Sequence, residues 1–481
     1  MIERLTRDGA VYAFATMASR GMGFLLVPIY TRLLDPLAYG AFDLIITAGL
    51  LVTLVVALEV GQGLAREWAD HPAQRRQLAS TALAFTVLSH AAFLAVALAA
   101  SASLTQLLLG APDFEAELRA GLVFIAANAV FLQLQSQFRW DMRPRAYAAV
   151  SLTYGVLTLA LGAGLGYSCG LRGVLWGQAI AAGLCVCMSL TMLRGQIGFG
   201  LSWPQLGRML RFSLPLVASG VALLVGQYVN RPMLAELASL EDVGIFGVGQ
   251  RIAGLTLLLI VGLQGALTPL VYRHHREPGV PAQLARLFEG FVAVAMICCL
   301  FLTVFARELV ALIAAPEFVA AAALVPWLAP AALLSQMYIF APGIAIARKT
   351  HWQLVLTCLV AALAVYLNLQ LIPRLGAVGA AVANCLAAAA FLLMWVAASQ
   401  RVYALPLRGP ALGLAALAYV ALAALGRWVD HGVGSSGIGI VAKLIVLASL
   451  AGALGALGLV PRRWKPAPRA ASAAGEPDAA S

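Results

Sequence analysis

Long apolar runs follow one another along the chain with only short polar breaks between them. A run of about 20 residues is long enough to cross a 30 Å hydrocarbon core as a helix. The pattern predicts fourteen such spans, near residues 9–34, 38–64, 78–110, 114–138, 147–167, 171–194, 211–237, 242–272, 284–314, 318–346, 351–373, 376–400, 408–427 and 437–460. The longest, 78–110 and 284–314, must tilt or extend past the membrane. The expected fold class is an all-α polytopic membrane protein with both termini on the same side.

The pattern also repeats. The first two runs meet at a polar elbow, Arg32-Leu33-Leu34-Asp35-Pro36-Leu37-Ala38-Tyr39-Gly40. At an offset of 204 residues Pro28 matches Pro232, Gly40-Ala41-Phe42 matches Gly244-Ile245-Phe246, and Gly61 matches Gly265. Arg143 matches Arg348 at 205, and Gly170-Leu171-Arg172-Gly173 matches Gly376-Ala377-Val378-Gly379 at 206. Six spans per repeat is an even number, so the two halves point the same way and are related by an axis along the membrane normal. Two parallel six-helix lobes are expected, residues 1–196 and 213–403, with a cavity between them. Residues 404–460 match nothing earlier and form two additional spans, and 461–481 is a cytoplasmic tail too poor in apolar residues to fold. Between the lobes, 197–212 carries Trp203-Pro204 and then Leu206, Met209 and Leu210 among Arg208 and Arg211. This stretch is either an amphipathic helix in the interface or a polar linker with one aromatic anchor.

Composition agrees with the class: 62% of residues are hydrophobic and only 11% charged, against roughly 45–50% apolar in soluble domains. The net charge of +11 does not point to nucleic acid, because the basic residues are dealt out one short loop at a time. Of 32 Lys and Arg, 22 lie on one set of alternate loops, seven on the other, and Arg20, Arg251 and Lys443 within spans. That imbalance places the first set, and both termini, on the cytoplasmic side. The seven cysteines lie in or beside apolar runs, with no spacing for zinc or a disulfide framework. His274-His275 lacks partner ligands, so no metal site is expected. No nucleophile elbow, phosphate loop or zincin motif occurs, and no loop is large enough to carry a catalytic domain, which argues against an enzyme.

Chemistry in such a chain is charge held inside the membrane. Arg20 lies eleven residues into its span, about 16 Å deep at 1.5 Å per residue, and Arg251 about 12 Å in from the opposite face. A guanidinium at that depth costs at least about 2.5–3.5 kcal/mol and faces protein or a water-filled cavity. One arginine in each half points to an anionic substrate between them, and the planar guanidinium suits a diphosphate. The competing reading is structural pairing with Asp43, Glu59 or backbone carbonyls. Arg231 precedes Pro232 with Gln227 and Asn230 nearby, which is either a polar bend lining the cavity or a helix end. With Gln250 beside Arg251, the candidate substrate-binding set is Arg20, Arg251, Arg231, Asn230, Gln227 and Gln250. Asp43 and Glu59 face directions about 160° apart on one helix, so one can serve ion coupling while the other is a structural partner. Gln133, Gln135 and Gln137 alternate and read as a wet helix end.

The segment Pro28-Ile29-Tyr30-Thr31-Arg32-Leu33-Leu34-Asp35-Pro36, followed by Tyr39-Gly40, resembles the polysaccharide-transporter (Wzx-like) branch of the multidrug/oligosaccharidyl-lipid/polysaccharide exporter superfamily. The resemblance implies a two-lobed, MATE-like flippase of the bacterial inner membrane. Such a protein moves undecaprenyl-diphosphate-linked oligosaccharide outward by alternating access, for O-antigen, capsule or exopolysaccharide. It also implies arginines from the first spans of each lobe around a central cavity, which matches Arg20 and Arg251. The implied partners are the lipid-linked oligosaccharide, membrane lipids, and the polymerase and chain-length machinery. No cofactor is expected, and the coupling ion, H+ or Na+, stays open because the acidic cluster of cation-coupled drug exporters is missing. Two alternatives remain: a lipid II flippase, which needs the same diphosphate handling, and a MATE-type drug or cation antiporter, which would want an acidic, aromatic cavity.

Overall fold

The repeated elbow folds as a capped helical turn at both of its occurrences. α1 (Gly21–Leu33) ends just before Asp35, whose carboxylate accepts from the Ala38 N–H at 2.8 Å, and Pro36 takes the first position of α2 (Pro36–Ala57). Proline suits that position because its missing N–H would go unpaired there anyway. At the same place in the second half, the Ser239 hydroxyl accepts from the Asp242 N–H at 3.0 Å. The computed structural model describes residues 21–459, apart from 199, most of 261–278, 348–349 and 434–435. Arg20, the His274-His275 pair and the 461–481 tail therefore lie outside the described residues.

α2 breaks at Leu58 and Glu59, both left-handed with φ of 49° and 52°, and α3 (Val60–Asp70) resumes the path. The third span bends at Ala100, between α4 (Arg75–Ala99) and α5 (Ser101–Leu109), and α6 (Glu115–Trp140) follows. α7 (Pro144–Met192) has 49 residues, about 73 Å at the helical rise, twice what a membrane needs. Gly170, with φ 56° and ψ −139°, turns it back on itself. A Cβ on Gly173 would lie 1.9 Å from the Leu165 carbonyl oxygen and one on Gly177 2.5 Å from that of Leu161. The two arms thus run antiparallel in glycine-mediated contact. α8 (Trp203–Tyr228), α9 (Asn230–Leu237) and α10 (Leu240–Ala253) open the second half.

The second half repeats these devices. α11 (Val280–Val304) bends at Phe305 into α12 (Ala306–Ile313), as α4 bends into α5. A 3-10 stretch, Pro316–Ala323, meets the next segment, headed by α13 (Val325–Leu334), at 58°. After the single turn α14 (Gly343–Ile346), α15 (Thr350–Gln400) reverses at Gly376, with φ 55° and ψ −134°. A Cβ on Gly379 would meet the Leu371 carbonyl oxygen at 2.2 Å. In each quartet the first glycine makes the turn and the second lets the arms touch. Among the described residues ten helices are each long and apolar enough to cross a membrane. Counting α7 and α15 twice and adding the bent segment gives thirteen passages among the described residues, and α1, described over 13 residues, stands at the place of the first predicted span.

One boundary differs from expectation. The 197–212 stretch is not a separate interfacial helix, because its helical part, from Trp203, runs into the seventh span as α8. Leu206 and Met209 are buried against Val60, Leu64, Trp68 and Leu78, while Trp203 is exposed. The first turns of α8 are thereby fastened to the first half, with Arg208 on Glu67 at 3.0 Å and the Ser213 hydroxyl donating to the Leu58 carbonyl at 2.7 Å. The additional helices, α16 (Gly409–Val433) and α17 (Gly437–Ala456), pack on α11 through Ala293, Leu300, Val304, Val446 and Leu450. Charges pin them at both ends of that contact. Lys443, fully buried, donates to Glu308 at 2.5 Å and Asp430 at 2.6 Å, and Arg408 grips Glu289 through Nε, Nη2 and its own backbone N–H.

Candidate functional site

α2 and α10, the matching helices of the two halves, cross at the end of the bundle where the elbows lie. A Cβ on Gly40 would come within 1.8 Å of the Leu240 carbonyl oxygen, and one on Gly244 within 2.1 Å of that of Pro36. Gly40 and Gly244, like Pro36 and Leu240, are 204 residues apart. The contact is therefore reciprocal, each half offering a glycine to the other's helix start. Around it Tyr39 meets Phe318 edge-on at 5.3 Å, and the Ala315 N–H donates to the Thr31 hydroxyl at 3.3 Å. This end of the bundle is closed.

One turn further along α2, Asp43 joins the halves. Its Oδ2 accepts from Arg231 Nε at 2.5 Å and its Oδ1 from Arg251 Nη2 at 3.2 Å. Arg231 Nη2 also donates to the Gln250 side-chain oxygen at 3.0 Å. The Asp43 and Arg231 side chains are only 6% and 7% exposed, whereas Arg251 is 29% exposed. Arg251 lies over the rings of Tyr39 and Phe42, and Arg231 over those of Tyr228 and Phe246. Buried away from water, the faces of these rings supply favourable electrostatics that bulk solvent no longer gives. Gly247 occupies the position equivalent to Asp43, and a Cβ there would lie 3.1 Å from the Asp43 carboxyl carbon. The carboxylate sits in the room that glycine leaves.

Below the closure, from Ile46 onward, a cavity of about 460 Å³ opens between α2, α4, α6 and α8. Its polar lining includes Glu59, Gln62, Asn128, Gln133, Ser136 and Arg139. The strained Leu58–Glu59 break carries Glu59 into that wall, so the kink and the carboxylate occur together.

The predicted residues divide accordingly. Arg231, Arg251, Gln250 and Asp43 come together in one cluster, with buried Asn230 beside it on α9. Glu59 is in the cavity wall and not in that cluster; because the helix breaks at Leu58–Glu59, its direction follows from the break and not from a continuous helical count from Asp43. Gln227 is exposed on α8 and outside both groups. The glutamines at the end of α6 divide too: Gln133 lines the cavity, Gln135 bonds Ser151 and Gln137 bonds Asp141. Gln133, Ser136 and Arg139 fall three apart, one face of a helix, a spacing that the alternation of glutamines concealed.

Residues 5–275, more than half the chain, match the family model described as polysaccharide biosynthesis protein. The chain belongs to that family. The fold agrees with this membership. The structure is similar to a lipid II flippase, MurJ, in an inward closed conformation, with a TM-score of 0.71 and 11% identity over 92% of this chain and 98% of that one. It is also similar to an inward-facing multidrug resistance transporter of the MATE family and MOP superfamily, with a TM-score of 0.61 and 16% identity over 79% of this chain and 96% of that one. The MATE transporter VcmN of Vibrio cholerae aligns at a TM-score of 0.54 and 18% identity, over 83% of this chain and 97% of that one. No curated relative matches the sequence. The family's chain thus has the fold of MOP-superfamily membrane transporters, and at these identities the likeness concerns the fold alone.

Proposed function

We propose that this chain is a flippase that carries an oligosaccharide linked to undecaprenyl diphosphate across the bacterial inner membrane, by alternating access, for surface or secreted polysaccharide. The observation that supports this most is the pair of second-half arginines held on Asp43 at the junction of the halves, one helical turn from Ile46, which lines a mainly apolar cavity with a few polar groups in its wall. Guanidinium groups are costly in a membrane and mark the path of an anion, and their fork matches phosphate oxygens. The sugars take the polar wall of Asn128, Gln133 and Ser136, while the isoprenoid tail stays in lipid beside the lobes. With the lysine- and arginine-rich loops inside, the closed end faces outward and the cavity faces the cytoplasm. Glu59, unlike Asp43, has no arginine on it among the described residues and is the candidate for a coupling H+ or Na+. The translocated unit then passes to the polymerase and chain-length machinery.

Reconstitution tests the proposal directly. Purified protein in vesicles should move a labelled lipid-linked oligosaccharide from one leaflet to the other, scored by its accessibility to a glycosidase added outside. The fold likeness to a lipid II flippase makes lipid II the second substrate to try in the same vesicles. Transport of lipid II alone would replace the proposed substrate, and extrusion of a cationic dye with neither lipid moved would overturn the flippase reading. Deletion in cells should abolish one polysaccharide and leave its lipid-linked unit on the cytoplasmic face.

A further inference from the structure

Two cations share one anion at the junction of the halves. Arg231 and Arg251 both bind Asp43, and no other carboxylate is bonded to either arginine among the described residues. The cluster carries one excess positive charge in a place where Asp43 and Arg231 are almost wholly removed from solvent. Its hydrogen bonds are also incomplete. Among the described residues two buried donors, Arg231 Nη1 and the Tyr39 hydroxyl, have no hydrogen-bond partner. Asp43 takes one nitrogen of each guanidinium, whereas a phosphate presents three or more oxygens around one centre and can accept from Arg231 Nη1 and the Tyr39 hydroxyl as well. The site is therefore better matched to a phosphate than to the group that occupies it.

The covalent arrangement adds a consequence. Asp43 comes from the first half and both arginines from the second, so whatever takes the arginines from Asp43 removes an ionic bond that spans the closure. Arg251 is the accessible partner, and Ile46, one turn from Asp43, already lines the cavity. The repeat supplies a single latch and not two, because Gly247 stands where a second Asp43 would be.

We infer that Asp43 is an internal stand-in for the substrate's phosphate, and that a phosphate reaching Arg251 and Arg231 displaces it and unlatches the closed end. The identity of the anion rests on the flippase reading. The displacement makes loading and outward opening one event: an empty protein stays shut, and a loaded one loses the bond that shut it. No external signal is needed, since the anion binds the unlatched state better than the latched one and shifts the population toward it.

Inorganic pyrophosphate serves as the probe on the full-length purified protein, with matched sodium chloride as the ionic-strength control. Where Asp43 occupies the arginines in nine of ten molecules or more, Asp43→Asn tightens pyrophosphate binding about tenfold or more, because the competent fraction rises toward one. Pyrophosphate should also raise the thermal stability of Asp43→Asn more than that of the wild type. In the wild type itself, spin labels carried by unnatural amino acids at positions 37 and 241, on either side of the closure, should move apart on adding pyrophosphate. Equal or weaker pyrophosphate binding by Asp43→Asn overturns the inference, and so does an unchanged label distance in wild type with pyrophosphate bound. Should Asp43→Asn fail to fold, the wild-type distance decides alone. Because neither readout involves transport, wild-type protein that flips lipid-linked oligosaccharide yet fails them refutes the displacement and leaves the flippase reading standing.

Discussion

Replacing Gly40 by alanine should stop transport without unfolding the protein. The added Cβ would fall 1.8 Å from the Leu240 carbonyl oxygen, a backbone atom that cannot rotate aside. Ordinary van der Waals separation begins at 3.4 Å, so α2 and α10 must part by about 1.6 Å where they cross. Overpacking of this kind costs about 1–3 kcal/mol. Parting the helices also strains the Asp43 contacts at 2.5 and 3.2 Å one turn away, and a buried ion pair that loses its partner costs about 3–5 kcal/mol more. At about 1.4 kcal/mol per factor of ten, the closed state loses at least about fivefold in population, and more than a hundredfold where the ion cluster parts. The open state has no such contact, so the cost falls on one conformation and not on folding. Label distances between positions 37 and 241 should lengthen in Gly40→Ala before any ligand is added, while vesicle transport falls by the same order. Gly244→Ala should behave alike, since its Cβ meets the Pro36 carbonyl oxygen at 2.1 Å, whereas Gly254→Ala, with nothing within 4 Å, should be silent. Wild-type transport by Gly40→Ala with an unlengthened distance would refute the assignment of this crossing as a closure.

Three further outcomes are expected. Arg251→Lys should lose most transport at normal expression, because an ammonium ion cannot reproduce the guanidinium fork; full activity in the vesicle assay would remove Arg251 from the anion path. Gly170→Ala should lower stability by about 1–2 kcal/mol, the cost of a left-handed residue bearing a side chain, and Gly376→Ala should match it; thermal denaturation in detergent measures both. Lys443→Met takes from Glu308 its cation among the described residues and leaves Asp430 with Arg307 alone, at 3.3 Å, a loss of about 3–5 kcal/mol; limited proteolysis should then release the α16–α17 pair first.

The fourteen apolar runs, their division into two repeats and an addition, and the glycine quartets were all readable along the chain. Each is a local property: a span needs only its own length of apolar residues, and a repeat needs only comparison of the chain with itself. The Lys/Arg bias and the depth of Arg251 are local in the same sense. What Arg251 binds is not. Its carboxylate lies 208 residues away in sequence and Arg231's lies 188 away, and nothing in either helix says which of Asp43 and Glu59 will face it. Packing of α2 on α10 settles that, turning Asp43 toward the junction and leaving Glu59 to a break whose left-handed backbone no pattern of residue types announces. The same limit explains Gln133 and Arg139: their spacing is visible in the sequence, but a polar helix face becomes a cavity wall only when other helices stand across the gap from it. Charge placement inside a membrane can be read from one strand of sequence because the lipid is the same for every residue; pairing cannot, because the partner is chosen by how the halves close on each other.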